Sequence, residues 1–126
     1  MEKKVIVSQS APKAVGPYSQ AVMANNMFFA SGQLGMDPAS GQMVNGGVKE
    51  QAQQVLKNIT TLLNAAELTL QNVVQVQILL ADMGDFAQVN EVYKTFFSEP
   101  YPARSTFQVA ALPLGARVEI QVVAVK

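Results

Sequence analysis

In the stretch Tyr101-Pro102-Ala103-Arg104-Ser105-Thr106, a guanidinium follows closely on two prolines, Pro100 and Pro102. Each proline biases the residue before it toward extended geometry, so the backbone leading to Arg104 is stiff. The apolar run Phe107 to Leu112 reads as a buried strand with Arg104 at its mouth. A guanidinium is almost never fully buried unless it is paired. Arg104 is therefore either locked to a structural carboxylate or held open for an anionic ligand. Further on, Val118, Ile120, Val122 and Ala124 form one face of a strand, and Glu119 shares the other with Gln121. If the last two strands form a hairpin, Arg104 and Glu119 both lie near its open end. Two readings fit that spacing. One is a structural salt bridge. In the other the pair flanks a ligand, with Arg104 gripping a carboxylate through two parallel hydrogen bonds. Glu119 would then hold a proton or a water.

Composition narrows the chemistry. The 126 residues suit one domain, spanning 1–126. There is no Cys and no His, which removes disulfides, thiol nucleophiles, Ser-His-Asp catalysis and the usual zinc ligands. Asp37, Asp82 and Asp85 show no metal-ligand spacing, so no metal and no cofactor is expected. Lys+Arg and Asp+Glu balance at nine each, without a basic run, which is not the footprint of a general nucleic-acid binder. No apolar run reaches membrane-spanning length, and a soluble, cytoplasmic protein without a signal peptide is expected. With 49% of residues apolar and only 14% charged, the surface of so small a chain is oily, and self-association is expected.

The elements that must position these residues follow from periodicity. Lys4 to Ser8 is a first strand. Ala11 to Pro17 is a loop with two prolines and a glycine. Tyr18 to Met23 and Met27 to Ser31 read as strands around Ala24-Asn25-Asn26, a tight turn, since Asn tolerates positive φ. The glycine of Ser31-Gly32-Gln33 ends the second of these where a backbone or ligand can approach closely. Met36 to Gly47 is mostly loop. Val48, Ala52, Val55, Leu56, Ile59, Leu62, Leu63 and Ala66 recur at helical spacing and predict an amphipathic helix of about five turns. Val73 to Leu80 is a strand with Val74, Val76, Ile78 and Leu80 on one face and Gln75 and Gln77 on the other. Asp85 and Gln88 have capping-box spacing. They open a second helix whose stripe is Phe86, Val89, Tyr93, Phe96 and Phe97, stopped by Pro100 and Pro102. The last strands run from Ala103 to Ala110 and Arg117 to Val125. The order β-β-β-α-β-α-β-β describes an α+β fold, two helices on a mostly antiparallel sheet. Two helices cover one face only, and self-association through the sheet is the simplest cover for the other.

Three further residues stand near these elements. Tyr18 follows Gly16-Pro17 on a stiff turn, and Ser31 ends a strand. Asn90 shares a helix face with Phe86 and Tyr93. Each has an ordinary structural reading: a core or interface aromatic, a strand end, a solvated helical amide.

Taken together, Gly16-Pro17-Tyr18-Ser19-Gln20-Ala21, Ser31-Gly32-Gln33, Ala81-Asp82-Met83, Val89-Asn90-Glu91-Val92-Tyr93, Pro102-Ala103-Arg104-Ser105 and Val118-Glu119-Ile120 resemble the RidA (YjgF, L-PSP) family of enamine/imine deaminases. The resemblance spans nearly the whole chain in the right order. It implies a chorismate-mutase-like α+β fold, assembled as a homotrimer with three sites in the clefts between subunits. It also implies hydrolysis of short 2-imino acids to 2-keto acids and ammonia. Carried over, Arg104 is the carboxylate-binding residue and Glu119 the acid that positions water. Gly32 offers a backbone N–H, Tyr18 walls the cleft, and Asn90 and Ser31 line it. Thr106 stands where many relatives have Cys, and its hydroxyl or backbone N–H is left to contact substrate. Leu114 replaces a frequent Lys, Gln121 a second acid, and Glu67 the glycine that usually ends the first helix. A trimeric keto- or imino-acid-binding regulatory module is the alternative from another class. Ribonuclease action, also attached to relatives, suits a chain of zero net charge without His least well.

Overall fold

The computed structural model describes residues 2–126 and arranges the period-two stretches as one six-stranded sheet. In chain order the strands are β1 (Lys4–Ile6), β2 (Ala21–Ala24), β3 (Met27–Ala30), β4 (Val73–Leu80), β5 (Ala103–Gln108) and β6 (Val118–Val125). The helices are α1 (Val48–Ala65) and α2 (Phe86–Phe96). The sheet order is β1-β2-β3-β6-β4-β5. All neighbours are antiparallel except β4 and β5, which run parallel and are joined through α2. The expected α+β architecture, two helices on one face of a mostly antiparallel sheet, is the one found.

The core lies between that face and the helices. The stripe Val48, Ala52, Val55, Leu56, Ile59, Leu62 and Leu63 of α1 is buried. It meets Val76, Ile78 and Leu80 of β4 and Val118, Ile120, Val122 and Ala124 of β6. Full burial of each large aliphatic side chain contributes about 1.5–3 kcal/mol. Asn25 and Asn26 both take positive φ and close the β2–β3 hairpin, as their side chains permit. Glu67, at φ 61°, ends α1 in the left-handed conformation that glycine usually supplies, and Leu68 donates back to the Leu63 carbonyl.

Five expectations need correction. β5 and β6 do not form a hairpin: β6 inserts between β3 and β4, and β5 pairs with β4 alone, at the sheet edge. The run after Arg104 is therefore not a buried strand, and Phe107 is 48% exposed. A bulge between Val73 and Gln75 turns Val73 into the core and Val74 outward, reversing the reading for Val74. The segment from Tyr18 to Gln20 precedes β2 rather than belonging to it. Asp85 stands at the N-cap of α2, but its side chain caps nothing, because its carboxylate is taken by Arg117.

Candidate active site

Arg104 stands on β5 in register with Val76 of β4. Paired residues share a face of a sheet, so its side chain projects on the helix side. There it meets α2. Nη1 donates to Asn90 Oδ1 at 2.8 Å. The guanidinium carbon lies 4.6 Å from the centroid of the Tyr93 ring and 5.5 Å from that of Phe86. Tyr93 is itself fixed by stacking on Phe97, with centroids 4.4 Å apart. Among the described residues no carboxylate pairs with Arg104. The molecule's other arginine is bound differently. Arg117 is gripped by Asp85 through both carboxylate oxygens, at 2.8 and 3.2 Å. One arginine is neutralised by an acid; the other is held by an amide and two rings and keeps its charge. Thr106, two residues along β5, is half-buried on the same face as Arg104.

Glu119 lies in a second place. It is in register with Leu79 between the buried Val118 and Ile120, so its side chain projects from the face opposite the helices. Its carboxylate rests against Gly32. A methyl group on Gly32 would stand 2.8 Å from Glu119 Cδ and nearer still to Oε2. Only a residue without a Cβ lets the carboxylate settle there. Burial raises the Glu119 pKa above the ordinary glutamate value.

The loops around Glu119 are anchored from behind. Gln33 exchanges backbone hydrogen bonds with Ile120 at 2.8 and 3.1 Å, fixing Gly32 beside β6. Buried Asn58 of α1 donates to the Leu34 and Met36 carbonyls. Ser31 Oγ donates to the Ser19 carbonyl at 2.6 Å, joining the strand end to the Tyr18 loop. Buried Gln20 donates to Ser8 and Pro12 and accepts from Ser8, holding that loop at both ends. Tyr18 is half-exposed, and its hydroxyl accepts from the Val15 N–H at 3.2 Å.

The sequence candidates thus fall into two groups. Arg104, Asn90 and Thr106 belong to the β5–α2 side; Glu119, Gly32, Ser31 and the Tyr18 loop belong to the other. Two strand spacings and three residue steps put the Cα atoms of Arg104 and Glu119 about 14 Å apart, on opposite faces of the sheet. The salt-bridge reading of this pair is overturned, and the two do not flank a common ligand within one chain. A hollow of about 630 Å³ beside β1 is lined by none of these residues.

The model of the family described as endoribonuclease L-PSP matches residues 8–126, which takes in all six stretches that carry the resemblance. This chain belongs to the L-PSP family. Within it, the L-PSP chain is 55% identical over 124 residues to the 2-iminobutanoate/2-iminopropanoate deaminase of Mus musculus, covering 98% of this chain and 92% of the mouse protein. RidA from the Antarctic bacterium Psychrobacter sp. PAMC 21119 superposes with a TM-score of 0.94 at 46% identity, covering 98% and 99% of the two chains. E. coli TdcF, solved with bound serine, superposes at 0.92 with 40% identity, covering 98% of each chain.

Sequence reading missed the aromatic seat of Arg104 and the Asp85–Arg117 pair in this L-PSP chain. For the seat a signal was present: Phe86, Asn90 and Tyr93 fall at i, i+4 and i+7 on one helix face. For the ion pair no local signal exists, because the partners are 32 residues apart.

Proposed function

We propose that this L-PSP chain hydrolyses short 2-imino acids and their enamine tautomers (2-aminoacrylate, 2-iminobutanoate, 2-iminopropanoate) to 2-keto acids and ammonia. The reaction takes place in clefts between the copies of a homotrimer. The observation that carries this reading is the unpaired charge of Arg104, held in place by neutral groups. A cation kept in that state suits a substrate carboxylate, which its remaining N–H groups grip side by side.

The imine carbon is already electrophilic, so the chain has chiefly to orient it and deliver water. Glu119 takes a proton from water as its oxygen bonds to that carbon, and returns a proton to nitrogen. Glu119 then takes the hydroxyl proton of the resulting carbinolamine and passes a proton to its amino group, so that the C–N bond breaks, ammonia leaves, and a C=O remains. A carboxylate lifted above the ordinary glutamate value is better matched to both steps than an ordinary one. Because Arg104 and Glu119 face away from each other in one chain, the cleft takes Arg104, Asn90 and Thr106 from one copy. It takes Glu119, Gly32, Ser31 and Tyr18 from the next. In this reading Gly32 offers its backbone N–H to the substrate and Tyr18 walls the cleft. The apolar residues left on the uncovered face, Met27, Phe29 and Val125, supply contact area for the assembly. The same reading places the protein in the cytoplasm, which cell fractionation would check.

The test is keto-acid release from 2-aminoacrylate generated in situ by a threonine dehydratase, with semicarbazide trapping imine that escapes. Wild type should accelerate release and Arg104→Ala should not. If neither accelerates it while wild type still binds 2-ketobutyrate, the chain is a keto-acid-binding regulatory module instead.

A further inference from the structure

We infer that Asn90 is a positioning residue: it fixes the Arg104 guanidinium without neutralising it, and so sets the site's preference for an anionic ligand. The inference rests on the reading of Arg104 as the carboxylate anchor. Arginine can only donate, so the Asn90 atom 2.8 Å from Nη1 is its carbonyl oxygen. One of the five guanidinium N–H groups is thereby committed. The Tyr93 and Phe86 rings lie against the guanidinium and consume no further donor. Three contacts from three residues on one helix face thus define position and plane while the charge is left whole.

The choice of amide is what matters. A carboxylate at position 90 would make the same hydrogen bond with nearly the same shape, but would turn Arg104 into a second copy of Arg117. That comparison stands in the same molecule: α2 is preceded by Asp85, which spends its charge on Arg117, and one turn on carries Asn90 for Arg104. Asn90 on this account does not itself have to touch the substrate, and it acts through Arg104.

Equilibrium binding of 2-ketobutyrate and steady-state imine hydrolysis, measured on wild type, Asn90→Asp, Asn90→Ala and Arg104→Ala, test this. Circular dichroism melts check each fold. Asn90→Asp should melt no lower than wild type and raise both Kd and KM about tenfold or more, with kcat changed little, because the introduced charge competes with the ligand for Arg104. Asn90→Ala keeps the charge but loses the hold, and should raise KM by a smaller factor, roughly three to ten. Asn90→Asp binding as tightly as wild type would overturn the inference while leaving Arg104 as the anchor. A fall in kcat at unchanged KM in both Asn90 variants would overturn it too, since that pattern belongs to a residue acting on the reaction or the fold. If Asn90→Asp does not fold, the Asn90→Ala split between KM and kcat decides alone. If Arg104→Ala binds 2-ketobutyrate like wild type, the anchor assignment itself fails, and the role of Asn90 with it.

Discussion

At the scale of single residues, Glu119 has its carboxylate pressed against Gly32 and its pKa raised by burial. A carboxyl with a raised folded-state pKa binds its proton more tightly folded than unfolded. Its penalty on stability appears as pH rises through those values and is absent below the ordinary glutamate range. Glu119→Gln should therefore melt at or above the wild-type temperature at pH 7, and the two should converge near pH 3; a lower melting temperature at pH 7 would contradict this. The same variant should lose roughly 10²–10⁴-fold in kcat. In wild type kcat/KM should fall as pH drops through the raised value, a limb that steady-state profiles should no longer show in the variant. Gly32→Ala should lower kcat by displacing the carboxylate while leaving the circular dichroism spectrum intact. Tyr93→Phe should behave in the opposite way. The Tyr93 hydroxyl is buried without a hydrogen-bond partner among the described residues, whereas the ring supports Arg104. Removing the oxygen should leave KM unchanged and stabilise the fold by up to about 1 kcal/mol, read from denaturant melts.

At the scale of elements, the Asp85–Arg117 pair ties the start of α2 to the start of β6, and Arg117 N–H also donates to Gln51 of α1. Asp85→Asn keeps the size but loses the charge-assisted bonds, and should destabilise by about 2 kcal/mol in denaturant unfolding while leaving KM for the imine unchanged. These ties were the part of the molecule least readable from sequence. Both helices and β4 were legible because their signal is local: apolar residues at i, i+3, i+4 or alternate positions report the face that is buried. Asp85 looked like a helix cap because capping is local, while its true partner lies on another element. The pairing of β5 and β6 was misread for a related reason. Sequential strands usually neighbour one another, and nothing within either strand records that β6 inserts between β3 and β4. Residue type and spacing singled out Arg104 and Glu119 but left a salt bridge open, and their expected roles came from the family resemblance. Their faces were not, since each depends on register across β4, and a one-residue slip reverses a face, as the bulge at Val74 does.

At the scale of the whole molecule, the sheet leaves one face bare, and Arg104 and Glu119 stand on its two sides. If each cleft takes Arg104 from one copy and Glu119 from the next, Arg104→Ala and Glu119→Gln should each be inactive alone. Co-refolded in equal amounts, they should recover activity at about a quarter of the clefts. No recovery, in mixtures shown by native mass spectrometry to contain both chains, would place the two residues in unrelated sites. The opposed faces of β5 and β6 also bear on inheritance. With clefts shared in that way, a chain carrying both substitutions, made alongside the normal one, would spoil the cleft on each of its flanks. Equal doses would leave about one cleft in four whole instead of one in two. A damaged allele of such a protein would be partly dominant, and its severity would depend on whether its product still assembles: a chain that fails to fold would do less harm to its partners than one that folds well and joins them.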